Sequence, residues 1–168
     1  NAMTLSTQQP DGGVVSRVVL LKEVSDKGFV FYTNYNSSKG QSIEHNNKVC
    51  ISFFWQSMER QVIIQGTAIK LPPEASDQYF QSRPRGSQMG AHVSNQSEVI
   101  ESRSTLEKRL KFLEDQYKNQ PIPRPTHWGG YVVSPHSIEF WQGRTNRLHD
   151  RLVYKQKSST WVIKRLSP

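Results

Sequence analysis

A chain of 168 residues and 19.3 kDa suits one domain and hardly leaves room for two. Its 35% hydrophobic content, mean hydropathy of −0.68 and lack of any apolar run near the roughly 18 residues of a membrane span argue against a helical membrane protein. The net charge of +8 lies wholly in residues 83–168, which hold 15 Lys and Arg against 7 Asp and Glu, while residues 1–82 balance at 7 and 7. Such an excess fits an anionic partner, either nucleic acid or a small phosphorylated ligand. The cations are interspersed with aromatics and turn residues, which disfavours a basic nucleic-acid arm. With Cys50 as the one cysteine, an intrachain disulfide and a cysteine metal cage are excluded, and the expected setting is reducing and cytoplasmic.

In chain order, Ala2–Ser6 and Val14–Leu21 read as arms of a hairpin around the polar turn Thr7–Gly13. Strands are expected at Phe29–Thr33, Val49–Trp55 and Gln61–Leu71, the last with Gly66 as a candidate bulge. Short helices are expected at Ser38–Asn46 and at Pro73–Ser82, where proline suits a first turn. The clearest helix follows Ser104, with Ser104 and Glu107 at capping-box spacing and Leu106, Leu110, Leu113 and Tyr117 on one face. Pro121, Pro123 and Pro125 force an extended linker. Late strands are expected at Gly130–Val133, Ser137–Trp141, Leu152–Lys155 and Thr160–Leu166. Seven or eight strands in so small a domain favour a barrel or a sandwich.

Three segments carry candidate chemistry. Arg17 and Lys22 bracket an apolar strand, Val18, Val19, Leu20 and Leu21; in an extended chain they point to opposite faces and serve two anions. Tyr79 and Arg83 are four apart and share a helical face, and Ser87 follows the Pro-Arg-Gly turn where it can cap the next helix. A phenol, a guanidinium, a hydroxyl and a helix N-terminus together suit a phosphate. Arg147, His149 and Arg151 alternate, and on an extended segment they crowd one face with cations that want an anion. The five histidines show no metal-ligand spacing, and no metal is expected.

These segments together resemble the pyridoxamine 5′-phosphate oxidase family. The likeness runs through Asn1-Ala2-Met3, Arg17–Lys22, Phe31-Tyr32-Thr33-Asn34, Ser37–Gly40, Arg60-Gln61-Val62, Tyr79–Gly90, Ser94–Ser97, Trp128-Gly129-Gly130, Glu139–Arg151 and Arg165–Pro168. The block from Glu139 to Arg151, with Glu-Phe-Trp-Gln-Gly leading to Arg-Leu-His-Asp-Arg, is the most specific part. The resemblance implies a mainly β, FMN-binding split barrel with peripheral helices, one domain over residues 1–168, and a C-terminal dimerisation and substrate segment from about residue 121. It implies a homodimer that oxidises pyridoxamine 5′-phosphate or pyridoxine 5′-phosphate with O2, and no nucleic-acid or membrane partner. The family's FMN contacts fall on Arg17, Val18, Val19, Leu20, Leu21, Lys22, Tyr32, Thr33, Ser38, Lys39, Gln61, Gln96, Ser97, Trp141 and Arg151. Its substrate contacts fall on Lys22, Tyr79, Arg83, Ser87, Arg147, Leu148 and His149, with Arg147 and His149 holding the pyridine ring.

Ser38 departs from the family, which usually has a basic residue beside Lys39. Against the family, the sequence is expected to lack the flexible N-terminal segment that can cover the active site, with Asn1-Ala2 read either as a cloning scar or as native. Two rival functions share parts of the pattern: a split-barrel protein that acts on another reduced cofactor or stores FMN, and a basic RNA-binding barrel.

Overall fold

Strict alternation at the N-terminus makes the first strand, β1 (Ala2–Gln8), which buries Met3, Leu5 and Thr7. It pairs antiparallel with β2 (Val14–Leu20) from Ala2↔Leu20 to Gln8↔Val14. Residues 9–13 close this hairpin: Gly12 adopts φ +88°, and the Gly13 N–H donates to the Asp11 carboxylate at 2.9 Å. The computed structural model describes residues 1–168. The chain folds into two units, Asn1–Phe31 with Ser42–Ile69 and Val132–Pro168, and Tyr32–Gln41 with Lys70–Tyr131.

Nine strands form one sheet. After β3 (Glu23–Ser25) and β4 (Gly28–Asn34) come β5 (Lys48–Trp55), β6 (Arg60–Lys70), β7 (Trp128–Gln142), β8 (Asp150–Lys157) and β9 (Thr160–Arg165). The order is β2-β1-β5-β6-β7-β4-β3, and β8 pairs with β7 and β9. In the first unit Met3, Leu5, Phe31, Ile51, Ile64 and Val133 are buried from solvent. Two expectations about the strands need correction, and one strand was missed. Gly66 is no bulge, because β5 and β6 stay in unbroken register from Lys48↔Thr67 to Trp55↔Arg60. Glycine is needed there for another reason: a Cβ would lie 2.4 Å from the Ser134 carbonyl oxygen. The two strands expected after residue 130 are one 15-residue strand, β7, whose first six residues are all buried and hide the alternation seen further on. The three-residue β3, wholly exposed, left no hydrophobic signal.

Four helices interrupt the strands: α1 (Ser38–His45), α2 (Pro73–Ser82), α3 (Arg85–Val93) and α4 (Arg103–Gln116). In the second unit Phe80, Met89, Ile122 and Trp128 form a buried cluster against which Leu110, Leu113 and Tyr117 pack. The apolar stripe of α4 therefore does what its spacing demands. Its expected capping box does not form. Ser102 holds the cap position, the Ser104 hydroxyl bonds that of Ser102 at 2.7 Å, and Glu107 pairs with Arg103 at 3.1 Å. The far end of α4 is closed by Arg85, which donates to the carbonyls of Tyr117 and Gln120 at 2.6 and 2.9 Å. No helix is long and apolar enough to cross a membrane.

Candidate functional site

In the second unit, a polar nest forms around the N-terminus of α1. Ser37, fully buried, holds the cap position; its hydroxyl donates to the Asn34 carbonyl at 2.7 Å and accepts from the Gly40 N–H at 3.4 Å. The Lys39 ammonium, only 9% exposed, donates to the Gln96 side-chain oxygen at 2.7 Å and to the Ser37 hydroxyl at 3.2 Å. Thr33 donates to that same Gln96 oxygen at 3.3 Å, so the amide nitrogen of Gln96 remains as a donor. The Ser38 N–H donates to the Ser97 hydroxyl at 3.2 Å, and Ser97 has φ +78°, a strained conformation for serine. An ammonium, hydroxyls, an amide and a helix N-terminus make a donor set suited to a phosphate. Thr33, Ser38, Lys39, Gln96 and Ser97, assigned from separate segments, are thus brought together.

Also in this unit, aromatic planes carry a guanidinium. Tyr32 and Tyr79 stack at 3.8 Å between centroids, and both lie nearly parallel to Trp128, at 5.5 and 6.3 Å. Arg83 lies over the Trp128 ring at 4.4 Å and over Phe80 at 5.5 Å. Its Nη1 is buried and has no hydrogen-bond partner. Burial lowers the Arg83 pKa, and nearby Tyr79 partly offsets this. Arg83 stands just past the end of α2 rather than inside it. The buried Gln88 amide fixes that turn by donating to the carbonyls of Phe80, Gln81 and Arg83 at 3.1 to 3.2 Å. Ser87 does not cap α3, because Pro84 occupies the cap and Ser87 lies within the first turn, its N–H bonded to the Pro84 carbonyl at 2.8 Å.

The remaining assigned residues belong to the first unit. Arg17 does not stand free: its Nη1 donates to the Leu5 carbonyl at 3.1 Å and to Thr7 at 2.8 Å, and burial lowers its pKa. Val18, Val19 and Leu20 complete β2, and Leu21 and Lys22 follow it with N–H groups bonded to Asn1 and Val30 carbonyls. Gln61 donates to Ser52 at 3.3 Å. Gln61 and Trp141 line a cleft of about 500 Å³ with Arg60, Gln142, Arg144 and Arg165 among its other walls. Trp141 meets His149 at 4.8 Å between ring centroids. The Arg144 N–H donates to His149 Nδ1 at 3.1 Å, which places the hydrogen of the neutral ring on Nε2.

The expected row of Arg147, His149 and Arg151 on one extended face does not exist. Thr145–Arg147 is a tight helical turn with Asn146 and Arg147 at φ +56° and +60°, Leu148 is exposed, and β8 begins only at Asp150. Carboxylates also share the charge that seemed to demand an anion. Arg151 pairs with Glu139 at 2.7 Å, Arg144 pairs with Asp150 at 2.8 Å, and Arg165 holds the other Asp150 oxygen. Those hydrogen bonds hold the Asp150 carboxyl below the usual carboxylate range and raise Arg151. Sequence reasoning missed Gln88 and Ser37 as organisers of this chemistry, since their burial and multiple partners leave no pattern in one sequence.

A nine-stranded sheet interrupted by helical excursions is a split-barrel architecture, and it carries a nest and an aromatic-backed guanidinium whose donors suit phosphate. Residues 1–117 match the pyridoxamine 5′-phosphate oxidase family model, and residues 128–168 match the pyridoxine 5′-phosphate oxidase C-terminal dimerisation region. The chain belongs to the pyridoxamine 5′-phosphate oxidase family. It is 61% identical to a pyridoxine/pyridoxamine 5′-phosphate oxidase of Flavobacterium johnsoniae, over 99% of this chain and 78% of that protein. It is 56% identical to one of Gloeothece citriformis, over 100% of this chain and 79% of that protein. Among solved structures it resembles PhzG of Burkholderia lata, crystallised with tetrahydrophenazine-1-carboxylic acid, with TM-score 0.94, 29% identity and coverage of 99% and 82% of the two chains. An FMN-binding relative from Nostoc punctiforme shares the fold at TM-score 0.79 and 15% identity, covering 99% and 88%.

Proposed function

We propose that this chain, as a homodimer in the cytoplasm, is an FMN-dependent oxidase that converts pyridoxamine 5′-phosphate or pyridoxine 5′-phosphate to pyridoxal 5′-phosphate. The amine, O2 and water give the aldehyde, ammonia and H2O2; the alcohol and O2 give the aldehyde and H2O2. The observation that carries the substrate half is the buried, unpartnered Nη1 of Arg83 beside Tyr79. A buried donor without an acceptor is costly, and a substrate phosphate relieves that cost. In this reading Tyr79, Arg83 and Ser87 of the second unit hold the substrate phosphate.

The nest around Lys39 fits the FMN phosphate, with Thr33, Ser38, Gln96 and Ser97 as its other donors. Tyr32, Gln61, Trp141 and Arg151 are assigned to the rest of the flavin, with the backbone of residues 18–22. The chemistry that FMN supplies when bound is acceptance of a hydride from substrate C4′ and return of the electrons to O2. The chain's own residues orient the substrate: His149 offers its Nε2–H, and Arg147, held in a strained turn, offers a guanidinium to the pyridine ring. No general base is assigned.

The test is release of H2O2 and pyridoxal 5′-phosphate from pyridoxamine 5′-phosphate by the FMN-supplemented protein, with oxygen uptake in equal amount. A folded, flavin-loaded dimer that consumes no oxygen refutes the oxidase reading and favours flavin storage.

A further inference from the structure

Arg83 is held in an unusual way. No hydrogen bond or ion pair engages its guanidinium; the contacts that hold it are the Trp128 face at 4.4 Å and Phe80 at 5.5 Å. Arginines fixed by carboxylates spend donors on the fixing. A π face attracts the cation and fixes its plane while consuming none of its N–H groups. Trp128 is itself held by its surroundings. It is 7% exposed, Arg124 donates to its carbonyl at 2.6 Å, its N–H donates to the Pro125 carbonyl at 3.0 Å, and Phe80 packs edge-on at 5.3 Å. Arg124 is in turn paired with Asp77 of α2, the helix that ends at Arg83.

We propose that Trp128 is the positioning residue for Arg83, its indole face presenting the guanidinium with its donors unspent to the phosphate of the ligand. This rests on the substrate reading above, and it makes phosphate affinity depend on an aromatic surface that need not touch the ligand.

The test titrates the FMN-loaded protein with pyridoxal 5′-phosphate, and with pyridoxal as the phosphate-free comparator. Trp128→Phe keeps a smaller aromatic face and Trp128→Leu removes it. The dissociation constant for pyridoxal 5′-phosphate is expected to rise about 3-fold in the first and about 10- to 30-fold in the second. Pyridoxal binding and kcat at saturating substrate stay within about 2-fold. In an Arg83→Ala background Trp128→Phe adds no further loss. Equal losses for both ligands, additive losses in the double variant, or unchanged affinity in Trp128→Phe overturn the positioning role. Loss of phosphate-ligand affinity in Arg83→Ala but not in Trp128→Phe defeats this inference alone; unchanged affinity in Arg83→Ala defeats the substrate reading and this inference with it.

Discussion

Replacing Ser37 by alanine tests the phosphate nest at its hinge. The hydroxyl is fully buried and makes three contacts: to the Asn34 carbonyl at 2.7 Å, from Lys39 at 3.2 Å and from the Gly40 N–H at 3.4 Å. The cap contact is long, so its loss belongs at the low end of the usual range, about 0.5 kcal/mol. The Asn34 carbonyl loses its closest donor and keeps the Ser37 N–H at 3.3 Å, a loss of about 1 kcal/mol. The Lys39 ammonium loses one acceptor but keeps Gln96, which limits that loss to about 1 kcal/mol. Ser37→Ala should therefore destabilise by about 2–3 kcal/mol and lower the melting temperature of the apo-protein by about 4–12 °C. FMN affinity, read by quenching of flavin fluorescence, should fall about 10-fold because the ammonium keeps only one of its two anchors. An apo-protein melting within about 1 °C of wild type would refute the assigned geometry.

Ser38→Arg places a guanidinium beside Lys39; since Ser37 rather than Ser38 caps α1, FMN binding should tighten about 3- to 30-fold at low salt, fading as salt rises, with the apo melting temperature unchanged. Gly66→Ala forces a Cβ against the Ser134 carbonyl oxygen and should destabilise by about 2–3 kcal/mol in a denaturant titration. Asp150 titrates below its ordinary range in the folded protein, so its contribution is present above about pH 4 and is lost as the pH falls through the folded value. The melting-temperature deficit of Asp150→Asn against wild type, present at pH 7, should accordingly close on acidification below about pH 4.

Much of this protein is legible in its sequence where one face of an element meets water and the other does not. The hairpin of β1 and β2, the helix α2 and the apolar stripe of α4 follow from alternation, a first-turn proline and a 3.6-residue period. Legibility fails where burial is two-sided, as in the first half of β7, and where an element is too short to have a period, as in β3. At the site, the nearness of Tyr79 and Arg83 survives although Arg83 has left the helix, because a shared contact with Trp128 restores what the helical period had promised. The alternation of Arg147, His149 and Arg151 misleads: the pattern is that of a strand, but two consecutive left-handed residues turn the chain there instead. Residue types carried the likeness to the family; the conformations that make them useful did not show in the letters.

The C-terminal ribbon has a consequence for how the protein fares in a cell. All six residues of β9 are exposed in the single chain, Trp161, Val162 and Ile163 among them, so apolar groups face outward on both sides of the strand. Val14, Val18 and Leu20 of β2 are exposed as well. A protomer without its partner displays an uncovered, greasy strand with unpaired backbone groups along its rim, the kind of surface that chaperones and proteases recognise. Because β8, to which this ribbon is zipped, carries Asp150 and Arg151, fraying of the ribbon would also break the Arg165–Asp150 pair. A partner surface laid over β9 would bury these apolar groups and steady the Asp150 and Arg151 strand at the same time.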